Sequence, residues 1–320
     1  MNWSSVKNLL IAMLVAANVF ILFNIAKQNR ARGYIDENEV DMAVGLLNDR
    51  GLAIDADSIP LRRFDAYIYE SLYGEDYFQN AAETLAGSKS ANRFILPDGS
   101  FMIDTENGAS FDFDNGLGFV YKENGNIPSE AYTDITAENF SGYAAQHAEL
   151  DKSHLKESVD SAVRFLNAGL GSESQLSVRV EGGFYDESSG YSYILVQQLL
   201  DGIPIYKHSA VCAFDGGRLI AVSGYWYFFG VESSWDEELC DQINILFTDL
   251  DTLEKRRDSG ADSDKAEPLP GIVTVTACYV PYWNSDKTAL YFIPAWQIEH
   301  TDETTIVYNA VTNAEYISTR

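Results

Sequence analysis

The sequence predicts an α+β protein: one N-terminal transmembrane helix, an α+β unit, and then two consecutive helix-plus-antiparallel-sheet units. Three observations carry this prediction. Leu9–Ile25 is an apolar run without a charged residue. Beyond Gly33, segments with a helical period alternate with segments of strand character. Pairs such as Gly182-Gly183, Asp201-Gly202 and Gly216-Gly217 separate the strand-like runs, as tight hairpin turns do.

The apolar run would measure roughly 26 Å as a helix at about 1.5 Å per residue. With Val6–Asn8 and Ala26 added it reaches roughly 31 Å, matching a hydrocarbon core of about 30 Å. Trp3 and Lys7 would mark one interface, Lys27 and Arg30 the other. A cleaved signal peptide is the rival reading. Its apolar core is shorter and ends in a small-x-small site, whereas this run continues into Lys27-Gln28-Asn29-Arg30. Asn18 would lie mid-membrane, on a face shared with Leu22. There a carboxamide costs free energy unless it finds a partner. Ala12 and Ala16 form a small-xxx-small pair. Ala12, Ala16, Asn18 and Leu22 are therefore the helix-pairing candidates. Positive-charge counting leans slightly towards a cytoplasmic body, but long domains cross largely regardless of charge.

Residues 1–32 are expected to be tail, anchor and basic flank. The α+β unit is read at 35–125. It holds an amphipathic helix over 36–50 with Val40, Val44 and Leu47 on one face, a short helix over Tyr77–Leu85, and strands around the turn Pro97-Asp98-Gly99. A connector and helix follow at 126–150, with helical character across Glu138–Leu150. Unit 151–230 has a helix over Leu155–Leu166, then strands at Leu176–Val180, Tyr191–Leu200, Ile203–Phe214 and Leu219–Phe228. The same order returns at 231–320. Its helix is read over Asp236–Lys255 with Leu239, Ile243, Leu246, Phe247 and Leu250 at core spacing. Its strands are read at Ile272–Val280, Ala289–Ile298, Thr304–Asn309 and Ala314–Ile317.

Composition excludes some partners. The first 32 residues carry no Asp or Glu, so the remainder holds 18 of the 22 basic side chains and all 48 acidic ones. A body this negative repels phosphate backbones, so no nucleic acid is expected as a partner. It also opposes close adhesion to anionic lipid heads. Cys212, Cys240 and Cys278 are too few for a disulfide framework. The histidines 147, 154, 208 and 300 are scattered without metal-ligand spacing, and no nucleophile elbow or phosphate loop is present. Asp112-Phe113-Asp114-Asn115-Gly116 hints at an oxygen-ligand loop but lacks the further carboxylates, so a β-turn is the expectation. No catalytic, cofactor or metal residue is predicted, and no small-molecule substrate is evident. The run Tyr225-Trp226-Tyr227-Phe228-Phe229 reads as a covered strand. Tyr225, Tyr227 and Trp296 are kept as candidates for an interaction surface.

Two segments resemble known modules. Gln198-Leu199-Leu200-Asp201-Gly202-Ile203-Pro204-Ile205, followed by Gly217 and Val222-Ser223-Gly224, is similar to propeptide-type PepSY/FTP modules. Phe292-Ile293-Pro294-Ala295-Trp296-Gln297-Ile298-Glu299, with Val307-Tyr308-Asn309-Ala310-Val311-Thr312-Asn313 beyond it, looks like the end of such a module. The opening Met1-Asn2-Trp3-Ser4-Ser5-Val6-Lys7, and the run ending in Asn18-Val19-Phe20-Ile21-Leu22, resemble the start of the YycI/YycH-type regulators. That resemblance implies a single-pass protein of the cell membrane, its N-terminus cytoplasmic and its body extracytoplasmic. It implies a non-enzymatic regulator of a cell-wall two-component sensor histidine kinase. Its partners would be the kinase, through transmembrane and ectodomain contacts, and a YycH-like sister. The alternatives are a PepSY/FTP-like protease inhibitor or chaperone module, and a cell-wall ligand receptor.

Overall fold

The structure, a computed structural model, describes residues 33–319 except 73–75, 115–116, 125–126, 128–133, 151, 169–174, 229–230, 260–267 and 287. The predicted transmembrane helix, with Ala12, Ala16, Asn18 and Leu22, lies outside the described residues. Among those described, no helix is long and apolar enough to cross a membrane.

In chain order, helix α1 spans Glu37–Asp49 and strand β1 spans Tyr67–Leu72. Helix α2 (Tyr77–Ala86) precedes β2 (Ser90–Ile95), β3 (Phe101–Thr105), β4 (Ser110–Phe113) and β5 (Gly118–Lys122). The short α3 (Phe140–Ala144) and β6 (Ala148–Glu149) lead to α4 (Lys152–Leu166). Then come β7 (Leu176–Asp186), β8 (Tyr191–Leu200), β9 (Ile203–Asp215), β10 (Arg218–Tyr225) and β11 (Ser233–Asp236). Helix α5 (Gln242–Ser259) precedes β12 (Ile272–Trp283), β13 (Ala289–His300), β14 (Thr305–Asn309) and β15 (Glu315–Thr319).

The protein is mostly β, which corrects the predicted α+β class: 42% of the described residues are strand against 24% helix. The reason is long-range pairing. The strands of the predicted 35–125 unit and those of the predicted 151–230 unit share one sheet, because β5 pairs antiparallel with β10 through Ala221↔Lys122 to Tyr225↔Gly118. Helix-plus-sheet units in series are therefore not what the chain builds. Instead it divides into two compact units drawn from interleaved segments.

The first unit takes the described residues up to Tyr67, those within Asp236–Ala277 and those from Pro294 onward. Helix α1 begins where the Asp36 carboxylate accepts the Asn38 N–H at 2.8 Å, with Glu37 and Glu39 in the positive first turn. Val40 and Leu47 enter a core with Ile245, Leu246 and Leu250 of α5 and Trp296, Ile298, Ile306 and Tyr308 of β13 and β14. Helix α5 starts later than predicted, at Gln242, because Asp241 caps it by accepting the Asn244 N–H at 3.0 Å. Its buried face is Ile245, Leu246, Asp249, Leu250 and Leu253, so Ile243 and Phe247 are only partly covered.

The second unit takes Ile68–Trp235 and Cys278–Ile293. Its sheet contains the antiparallel run β2-β3-β4-β5-β10-β9-β8-β7-β6, and β12 joins β9 in parallel at Tyr279↔Ile205. Asp201-Gly202 forms the β8–β9 turn, both residues at positive φ (50° and 77°), as a two-residue hairpin whose twist matches its strands requires. Gly182-Gly183 is not the predicted turn. It lies inside β7 at a register shift, and the chain reverses at Asp186–Gly190 instead. The helical reading across Glu138–Leu150 shrinks to α3. Gly142 in its middle weakens the turn, and Ala148 and Glu149 pair with Tyr185 and Phe184. Helix α2 presses Phe78 against Phe101 and Phe113, at 4.7 and 4.9 Å between ring centroids.

Candidate functional site

A cleft of about 670 Å³ opens in the second unit. Its wall comes from the β2–β3 turn, the β4–β5 connection, the segment before α3, the bulged middle of β9 and the end of β10.

Carboxylates line it, and Asp98, Asp112 and Asp114 are each positioned by hydrogen bonds. Asp98 accepts the Ser100 hydroxyl at 2.6 Å and its N–H at 3.0 Å, and these bonds hold its carboxyl below the usual range. Asp112 receives the Lys122 ammonium on Oδ2 at 2.8 Å; its Oδ1 is shielded from solvent without a hydrogen-bond partner among the described residues. Asp114 accepts the Gly118 N–H at 2.7 Å, while its own N–H donates to the Gly118 carbonyl at 2.9 Å. Glu138 is exposed at the rim. Burial, then the charges of Asp114 and Glu138, push the Tyr225 hydroxyl above its usual value. Tyr225 is 42% exposed, whereas Phe113 and Phe119 on the same wall are buried.

Lys207 reaches this cleft because β9 is distorted. Its φ of 59° is left-handed, a conformation that costs a side-chain-bearing residue roughly 1–2 kcal/mol. The Gln197 amide stabilises the kink by donating to the carbonyls of Ile205 (2.7 Å) and His208 (2.9 Å), while the Ser209 hydroxyl donates to Gln197 Oε1 (2.7 Å). Bulges of this kind re-aim side chains beside binding sites. Across from it, Gly224 sits at φ 155°, and a Cβ there would overlap the Ser209 carbonyl oxygen and lie 2.6 Å from Ala210 Cα. Both obstacles are backbone and cannot rotate away. Gly224→Ala is expected to part β9 from β10 and cost at least roughly 1–3 kcal/mol, read as a lower urea midpoint. A change within about 0.5 kcal/mol would mean the strands can move apart freely.

The three interaction candidates land in different places. Tyr225 is on the cleft. Tyr227 is 1% exposed, stacked on Tyr77 at 5.7 Å and hydrogen-bonded to Ser71. Trp296, also 1% exposed, lies in the first unit, its indole N–H donating to the Cys240 carbonyl at 3.0 Å. Tyr225–Phe228 do not form one covered strand, since β10 ends at Tyr225 and Trp226–Phe228 turn inward; Phe229 lies outside the described residues. Sequence reasoning noticed Asp112 and Asp114 but missed Asp98, Glu138, Lys207 and Ser209. Only tertiary pairing brings those segments together. Among the described residues no group of three His, Cys, Asp or Glu side chains could hold a metal ion.

Other chemistry-bearing groups are engaged in structure. His300 and Asp249 pair at 3.0 Å, both fully buried. Buried His208 lies 3.3 Å from Gln198 Oε1, and burial pulls its pKa down to about 3. The cysteines are free thiols; burial pushes Cys278 up to about 12 and raises Cys212 as well.

No family model matches the chain, and no curated protein does. Among solved structures, the crystal structure of an uncharacterized protein from Eubacterium rectale is similar at 11% identity. It covers 79% of this chain and 85% of that chain, with a TM-score of 0.38. A likeness at that level carries no functional argument.

Proposed function

We propose that this chain is a non-enzymatic, membrane-anchored extracytoplasmic regulator of a sensor histidine kinase, of the YycI/YycH kind, working by contact. The anchor would pair with kinase helices through the face of Asn18 and Leu22 and the Ala12/Ala16 pair on a neighbouring face, and the body would dock the kinase or a sister protein. What supports contact rather than chemistry is where reactive groups sit. His300, His208 and the two buried thiols serve the interior, while the surface cleft offers carboxylates, hydroxyls and the exposed Tyr225 ring. That cleft is the observation that carries the reading. Polar groups around one accessible aromatic are what a recognition site presents.

The experiment is co-purification of the full chain with its kinase from membranes, alongside phosphorylation of the cognate response regulator. Loss of the chain is expected to change that phosphorylation, and Asn18→Leu to reduce kinase recovery severalfold. Unchanged phosphorylation on deletion overturns the regulator. Undiminished recovery of the kinase with Asn18→Leu overturns pairing through the anchor.

A further inference from the structure

Beside the cleft, one hairpin combines two properties. Its turn places Asp98 and Ser100 on the cleft wall. Its outer strand β2 pairs only with β3 among the described residues, leaving one row of backbone groups open. Phe94, Ile95 and Leu96, which lead directly into that turn, are all exposed, Ile95 at 64%, and Met102 on β3 is exposed as well. Leu96 is tied to the cleft-lining Ser100 by an N–H to carbonyl bond of 2.9 Å. An apolar, unpaired edge on a soluble body attracts another strand, and such edges are where extended peptides add.

Charge decides which peptide. The strand residues Ser90–Ile95 include Arg93 and no acid, so the edge itself does not repel an apolar segment. The adjoining cleft presents Asp98, Asp114 and Glu138, with Asp112 held by Lys122, and Lys207 is the one lining cation among the described residues. The Tyr225 ring stands exposed among them, and a ring face favours an ammonium or guanidinium. The strongly acidic body adds a long-range field that draws cations in.

We propose that this hairpin and cleft together bind an extended, apolar-and-basic polypeptide segment. The segment would lie along β2 and place a lysine or arginine head in the cleft, between the carboxylates and Tyr225. This deepens the contact-regulator reading and rests on it, naming the chemistry of the partner segment the body would recognise.

The test uses the purified full chain and a short fluorescent peptide of alternating leucine and lysine, with fluorescence anisotropy as the readout. Saturable binding is expected that weakens as salt rises. The double variant Asp114→Asn and Glu138→Gln, which keeps the hydrogen-bonding shape, should weaken it about tenfold, as should Tyr225→Ala. Unchanged thermal unfolding of the variants shows that the site, not the fold, was altered. A leucine–glutamate peptide should not bind. Equal affinity of the double variant overturns the cleft as the cation site. Displacement of the peptide by equimolar cadaverine overturns the polypeptide assignment in favour of a free amine. Either failure leaves the kinase phosphorylation readout untouched, so the two readings fall separately.

Discussion

Asp249→Ala is expected to destabilise the first unit by roughly 3–5 kcal/mol, the cost of leaving a buried charge without its partner. Asp249 lies on the buried face of α5, among Ile245, Leu246, Leu250 and Leu253. Its carboxylate receives His300 Nε2 at 3.0 Å and the Tyr308 hydroxyl at 2.8 Å. The other ring nitrogen, Nδ1, faces the Thr304 carbonyl at 3.1 Å. A neutral imidazole has one N–H and could satisfy only one of these acceptors. The imidazolium satisfies both. Burial pulls the His300 pKa down, but the hydrogen bond and charge of Asp249 and the Thr304 carbonyl outweigh it, so the net shift is upward from 6.5.

A histidine whose folded pKa is raised contributes stability that is complete below its unfolded value and lost as pH climbs through the folded one. The urea midpoint of the native protein should therefore fall from about pH 6.5 upward. In Asp249→Asn that slope should largely vanish, since the charge that retains the proton is gone. Urea titrations across neutral pH check both. A native profile flat from pH 6.5 upward, or an Asp249→Ala midpoint equal to the native one, would contradict the buried ion pair.

Gln198→Leu should cost roughly 2–6 kcal/mol in the second unit, from two buried polar groups losing partners at about 1–3 kcal/mol each. Gln198 is fully buried on β8. Its amide pairs with the backbone of Tyr227 as a neighbouring strand would, donating to the carbonyl at 2.5 Å and accepting the N–H at 2.9 Å. Leucine fills the space but leaves both backbone groups dry and unpaired. Tyr227 would then lose its hold on the stack with Tyr77 and its edge contact with Phe292. Near-ultraviolet circular dichroism and urea unfolding report the outcome. A leucine variant as stable as the native protein would show that Tyr227 is held by packing alone.

Much of the local architecture was legible in the residues. The cap and acidic first turn of α1, its Val40 and Leu47 face, and the Asp201-Gly202 turn follow from rules acting over a few residues. Gly182-Gly183 misled because paired glycines mark a bulge within a strand as well as a turn. Tyr227 and Trp296 could not be sorted from Tyr225 by type. An aromatic ring suits core and surface alike, and their burial depends on residues far along the chain, such as Ser71 for Tyr227 and Cys240 for Trp296. The cleft was the least legible feature, since Asp98, Asp114, Glu138, Lys207 and Tyr225 come from five separate segments.

Periodicity, capping residues and charge distribution, written directly in the chain, determined the acidic body, the helix stripes, the strand segments and the apolar run at Leu9–Ile25. Tertiary structure alone decided that β5 closes onto β10, that two units draw on interleaved segments, and that Asp249, His300 and Tyr308 meet in one core. The physical reason is range. Helix and turn preferences are settled by neighbours within about four residues, whereas a strand edge accepts any partner whose backbone and buried face fit, however distant in sequence.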